Sequence, residues 1–546
     1  MVDLFCFKRY TVSIVYINDV GIIHEMSHNN STNTLPRPSA TPSLRRGIIF
    51  STIQQKIVFL QINKRIKIMK KLFLAAILML GFTALVVAQN DIDAFRFSHS
   101  DYEGTARFMG AGGAFSAVGA EFSALNVNPA AIGVFKKSEV TFTPLVISIY
   151  NNNSLYNGTN SHTSNVKYSL TNVGGAFRIG LPEGSSWKSI NLGFGYNRTY
   201  DYNNQFRIEG RSHNSSMMDE YLANVQGKNL SGISDNELLA FNTYMLDTLT
   251  ATRYFSPFAG KSLNQKLVAE SSGANDEIAF SIGGNYNDEL FIGATIGVPV
   301  INYTEKTKYY EEDEDITNYI SSYYISENLR VRTTGVNLKL GVIYQPADFI
   351  RIGAAFHTPS YFGRVRNTYT RTMTSYYPNG ENSGTFENNY TFNYTLTTPL
   401  RAIGSVAFLI KKRAFVSAEY EFTGYGMARM SSNDYSFDEE NEAIQEKYGA
   451  CHTVRVGGEV YVTNNFLLRA GYNFKSSAYR NTVDNNNAMH TATAGIGFRA
   501  KGFLIDFAYV FKTKNENLWL YDSDFVDPAS LRTNTHRVVA TLGYKF

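Results

Sequence analysis

The sequence predicts an all-β fold: a 14-stranded antiparallel transmembrane β-barrel with an N-terminal hatch (plug) in its lumen. Three observations predict it. Apolar residues recur at every second position in runs of about ten, opposite Arg, Lys, Glu and Asn, as in a strand with one face in lipid and the other in a polar lumen. Aromatics are abundant, 36 Tyr and 38 Phe, while charged residues make up only 18%. Short turns alternate strictly with long loops, the arrangement of bacterial outer-membrane barrels.

The composition also excludes alternatives. A mean hydropathy of -0.21 and a single long apolar stretch do not suit a bundle of membrane helices, each needing ~20 apolar residues. Two Cys cannot build a disulfide scaffold, and 14% aromatics argues against disorder.

Taken in order, the first element is a secretory signal peptide over residues 69–88. Met69, Lys70 and Lys71 form its basic start, residues 72–87 its apolar stretch, and Val86 and Ala88 flank the expected cut before Gln89. Residues 1–68 lack a steady period and are expected to be an over-extended gene start, absent from the mature protein. They hold nine Lys/Arg and three Asp/Glu, and the leader two Lys. The formal charge of +4 therefore becomes -4 in a mature chain of 40 bases and 44 acids. That balance excludes nucleic acid as a partner.

Residues 89–137 are rich in Gly and Ala, which let backbone pack closely against a wall. They are read as the hatch, because 14 strands enclose a lumen wider than side chains fill. The barrel follows over residues 138–546. Its strands are expected at 139–150, 168–180, 190–200, 274–286, 290–298, 334–344, 349–357, 400–410 and 414–423, then at 454–462, 466–474, 491–499, 503–512 and 536–546. The longest loop spans 201–273. The last strand places Val538, Ala540, Leu542, Tyr544 and Phe546 on one face. Phe546 resembles the terminal aromatic by which the barrel-assembly machinery recognises its clients.

The hatch carries GAGGAFSAVG (110–119) and NVNPAAIG (126–133), and a central hairpin reads LKLGVIYQP (338–346) then IRIGAAFHTP (350–359). With 14 strands and a leader, this resembles the FadL-type outer-membrane transporters of long-chain fatty acids and aromatic hydrocarbons. The resemblance implies a passive route. Extracellular loops capture an apolar ligand, it moves to a pocket gated by the hatch, and it leaves sideways through a kink in the third strand, somewhere in 191–207. The gating residues implied are Gly110, Gly112, Gly113, Asn128, Pro129 and Ala130.

Loop segments 217–225 and 237–249 read as short helices with apolar faces. Met218, Leu222, Leu238, Leu239, Phe241 and Met245 are the candidate capture residues, or else pack only on one another. For a ligand carboxylate, lumen-facing Arg351, Arg455 and Arg469 are candidates, since Arg binds carboxylates bidentately. Their competing role is pairing with Glu419, Glu421, Glu459 and Asp506. The acidic runs 311–315 and 438–442 read as solvated loop faces. No cofactor, metal site or catalytic motif is expected, and the chain reads as a monomer in a Gram-negative outer membrane, contacting lipid and lipopolysaccharide. Other readings are a polar-solute porin and an adhesive barrel.

Overall fold

A computed structural model describes residues 90–101, 103–315, 317–411 and 413–546. The expected leader and the segment before it lie outside the described residues.

Alternation of small or polar residues with large apolar ones makes one face of each strand suit lipid, and lipid requires every backbone group to be bonded within the wall. Fourteen strands do this. They are β1 (Glu139–Tyr156), β2 (Thr159–Ser169 continued by Asn172–Gly180), β3 (Trp187–Asp201 continued by Asn204–Arg211), β4 (Asn264–Tyr286) and β5 (Leu290–Glu312). Next come β6 (Ser322–Thr334 continued by Asn337–Ala347), β7 (Ile350–His357 continued by Tyr361–Tyr376), β8 (Asn382–Thr397 continued by Arg401–Ile410) and β9 (Ala414–Gly424). The series ends with β10 (Ala450–Tyr461), β11 (Phe466–Lys475), β12 (Met489–Ala500), β13 (Phe503–Leu518) and β14 (Ala529–Lys545).

Each strand pairs antiparallel with the next, and β14 returns to β1 with Glu139 opposite Lys545, closing the barrel. Val538, Leu542 and Tyr544 are exposed on the outside while Arg537 and Thr541 are buried in the lumen. All 14 expected strands are present. Several run much further toward the loop end: β4 begins at Asn264 and β5 ends at Glu312, so the long loop is shorter than expected. The reason is that pairing continues above the lipid, where the outward face turns polar and the apolar alternation disappears.

Candidate functional site

The hatch lies inside the barrel. It comprises α1 (Asn90–Phe97), α2 (Ala106–Gly110) and two 3-10 turns, Ser123–Asn126 and Pro129–Val134. Thr105 caps α2 by accepting from the Phe108 amide. Phe108, Phe115, Phe122, Leu125 and Ile132 are fully buried and form one apolar cluster with wall residues. Asn128 starts the second 3-10 turn. Its Oδ1 accepts from the Ala130 amide at 3.0 Å, and its Nδ2 donates to Ser116 O at 2.8 Å and Val342 O at 3.3 Å. Pro129 occupies the first turn position, where its missing N–H costs nothing.

The hatch rests on wall glycines. A β-carbon on Gly341 would overlap Asn128 Oδ1, and one on Gly293 would overlap the Pro129 carbonyl. Opposite, Gly471 and Gly457 leave room for Gly112 and Ala111, and Gly110 lies against Gly495. These wall positions are partners in the ladder: Gly293 faces Gly341 and Gly457 faces Gly471. Gly112 and Gly113 both have positive φ, +67° and +76°, and turn the chain where it touches the wall. The sequence showed the hatch glycines. Their wall counterparts were hidden, because a glycine at a lumen position within an alternating strand carries no pattern of its own.

Charge fastens the hatch to the wall. Arg107 donates to both Glu459 oxygens, at 3.0 and 2.9 Å. Glu103 pairs with Arg537, and Ser116 N donates to Glu419 at 3.1 Å. Asp101 takes two cations, Lys512 at 2.6 Å and Lys475 at 3.6 Å. Burial alone would raise the Asp101 carboxyl, but Lys512 and Lys475 outweigh it and hold it well below the usual range. Glu121 goes the other way. Burial pushes it up to about 7, against hydrogen bonding from Thr105 and the charge of Arg107. A cavity of about 50 Å³ lies beside Asp101, between Phe108, Met109, Lys475 and Lys512. That holds a few waters, not a drug-sized ligand.

The wall has a seam at this level. β3 breaks at Tyr202–Asn203 and β2 at Leu170–Thr171. Below the breaks the two strands pair from Asn172 opposite Asn197 to Gly180 opposite Ser189. Above them, β2 pairs with β1 and β3 with β4. Side chains of β1 bond the freed backbone of β3: Asn152 donates to Gln205 O at 2.7 Å and Ser154 to Arg207 O at 2.6 Å. The hatch covers the base of the seam. The Asp101 amide donates to Thr199 O at 2.8 Å, and the Thr171 hydroxyl donates to Gly104 O at 3.0 Å.

Among solved structures, the chain is similar to a FadL homologue of Pseudomonas aeruginosa, at 14% identity and TM-score 0.50, covering 82% of this chain and 99% of that one. The chain has the FadL-type fold. The Pseudomonas putida toluene transporter TodX also matches, at 12% identity and TM-score 0.48, as does the Ralstonia pickettii toluene transporter TbuX, at 13% and 0.46; each match covers 82% of this chain and 99% of that one. No protein-family model and no curated protein matches the sequence.

Within the FadL-type barrel, the first expected loop helix forms as α3 (Met217–Val225), whereas the second, expected over 237–249, is only α4 (Asp235–Asn242), and Asp247–Thr250 is a short strand instead. Met218, Leu239, Met245 and Leu246 are buried in one cluster with Tyr156, Tyr221 and Tyr323, and Leu222 and Phe241 pack against it half-buried. Leu238 is half-buried on α4. Apart from Leu238, these side chains pack on one another and on strand residues at the loop end of the barrel. Glu311 corrects the reading of 311–315 as a solvated face. It is fully buried against this cluster, accepting from Gln265, the Met217 amide and Tyr323. Likewise Glu440, in the second acidic run, is buried and accepts from Tyr435.

The three Arg candidates separate. Arg455 bridges Glu419 at 2.6 Å and Glu421 at 2.7 Å, and Arg469 bridges Glu459 and Asp506 at 2.6 and 2.7 Å. Among the described residues Arg351 bridges no carboxylate; it donates to Val118 O at 2.5 Å and to Gln345 at 2.8 Å, holding the hatch. Arg455 and Arg537 line the cavity, together with two cations that were not candidates, Lys475 and Lys512. Sequence reading missed the two lysines because they lie on different strands, 37 positions apart; only the hatch carboxylate brings them together.

Proposed function

We propose that this protein is a passive outer-membrane transporter of hydrophobic small molecules bearing a carboxylate, long-chain fatty acids above all. The observation that carries this reading is Asp101. Its amide bonds the wall at the seam and its carboxylate bonds Lys475 and Lys512 beside the cavity. A ligand carboxylate arriving between the two lysines competes with Asp101 for them. Once Asp101 is displaced, its amide leaves Thr199, and the seam between β2 and β3 opens on the membrane. The ligand enters from the extracellular loops, whose apolar cluster offers the initial contact, and leaves sideways. The fold similarity to a FadL homologue supports this route. The Asn128–Ala130 turn and the Gly110–Gly113 turn act as the seats from which the hatch moves. Neither metal nor cofactor enters the scheme.

The test is uptake of labelled oleate and labelled toluene into proteoliposomes. Wild-type protein is expected to admit oleate, and K475Q/K512Q, which removes the cations that a ligand carboxylate competes for, to lose the preference for oleate over toluene at least tenfold. Equal entry of oleate with and without protein overturns the reading. A large steady ion conductance in planar bilayers would instead identify an open polar-solute porin.

A further inference from the structure

In the lumen, Arg107, Arg455, Arg469, Arg537, Lys475 and Lys512 have acidic partners. Four outward-facing cations do not. Arg330 and Arg332 on β6, and Arg364 and Arg366 on β7, are exposed on the outer wall, and Arg332 lies directly opposite Arg366 in the ladder. Like charges facing one another across a strand pair repel. Arg364 bonds only the Asn393 amide oxygen, at 3.4 Å, and none of the four pairs with a carboxylate among the described residues.

Their height on the wall is informative. Along the outward face of β6 the sequence runs Arg330, Arg332, Thr334, then Val336, Leu338, Leu340 and Val342, all of the last four exposed. On β7 it runs from Ile352 and Phe356 through exposed Tyr361 to Arg364 and Arg366. The arginines therefore start where the lipid-facing apolar band stops, one step beyond an interfacial aromatic. Arg332 and Arg366 also form the shared ridge between two open clefts of about 390 and 330 Å³.

We propose that this patch binds the phosphates of an anionic lipid headgroup in the outer leaflet, a phosphorylated glycolipid whose acyl chains lie along the apolar band below. Guanidinium groups give bidentate, charge-assisted bonds to phosphate. Two clefts sharing a ridge suit two phosphates on one headgroup, and the ligand offsets the repulsion between Arg332 and Arg366.

Native mass spectrometry of the full chain with lipid A, and with lipid A stripped of its phosphates, tests this. Wild type is expected to retain lipid A and to hold the stripped lipid at least tenfold less. R330Q/R332Q/R364Q/R366Q is expected to lose lipid A to the same extent, while R532Q, on an exposed residue of β14, retains it. Folding is checked by the heat-dependent shift on gels. If the quadruple variant does not fold, R366Q alone should weaken retention about fivefold, the size of one basic contact at a membrane surface. Equal retention by the variants, equal binding of the stripped lipid, or displacement by millimolar inorganic phosphate overturns the proposal.

Discussion

Asn128 fills the space that a side chain at position 341 would occupy. A β-carbon added to Gly341 would also meet the Ala130 amide at 2.9 Å and Pro129 Cδ at 3.0 Å, so the turn has nowhere to retreat within its seat. Gly341→Ala is expected to unseat the hatch, at a cost of about 1–3 kcal/mol for overpacking. The readout is planar-bilayer current: brief openings in the variant against a quiet wild type. A silent G341A channel would mean that the hatch tolerates displacement here without opening.

How much of this was legible in the sequence follows from what each residue faces. The strands were legible because lipid and lumen impose opposite demands on alternate residues, as Ile505, Phe507 and Tyr509 against Asp506 and Ala508 show. The hatch was legible from its Gly/Ala runs. Lys475 and Lys512 were not, since a single Lys on a lumen face is ordinary until Asp101 joins the two. The extended upper strands were missed because their outward face turns polar there, while apolar residues such as Tyr309, Ile325 and Met373 move to the inward face. Arg455 and Arg469 were seen, with their carboxylate partners correctly named as the competing role, but sequence could not tell which role the geometry serves.

Two of the hatch carboxyls, Asp101 and Glu121, give pH dependences of opposite sign. Asp101 is depressed by its lysines, so its contribution to hatch seating is present above its ordinary value of 3.8 and is lost as pH falls below that. Glu121 is raised, so seating favours its protonated form. That contribution is complete below 4.5 and declines as pH rises toward 7. The hatch is therefore expected to be tightest in mild acid. Hydrogen exchange of hatch peptides, corrected for intrinsic rates, should show a minimum there. E121Q should flatten the neutral side, and infrared spectra of wild type should lose a protonated-carboxyl band near pH 7 that E121Q lacks. No such band would mean that Glu121 is ionised throughout.

Removing the Asp101 charge isolates its role. Asp101→Asn leaves Lys475 and Lys512 facing each other, mostly buried, without their shared anion, a loss on the order of 3 kcal/mol for breaking a buried pair. The hatch should loosen, and oleate, which restores a carboxylate between the lysines, should recover thermal stability more in D101N than in wild type. Toluene should not. Identical shifts with both ligands would place the carboxylate elsewhere.

Asn152 decides whether the seam is a separately moving part. Above the breaks in β2 and β3, the Gln205 and Arg207 carbonyls accept from Asn152 and Ser154 side chains of β1, where an intact wall would supply neighbouring backbone. Side-chain donors of this kind contribute about 0.5–1.5 kcal/mol each. The Asn152 amide nitrogen holds two contacts on β3, to Gln205 O and to Asn204 Oδ1, each at 2.7 Å, while its Oδ1 accepts from Thr533 of β14 at 2.6 Å. Asn152→Ala is expected to speed hydrogen exchange in residues 204–211 several-fold and to leave β10 to β12 unchanged. If the seam is the exit, the same variant should speed oleate release into the bilayer without raising ion conductance, because the hatch seats at Gly341 and Gly471 remain intact. Faster exchange without faster release would make the seam a local weakness of the wall and move the exit elsewhere.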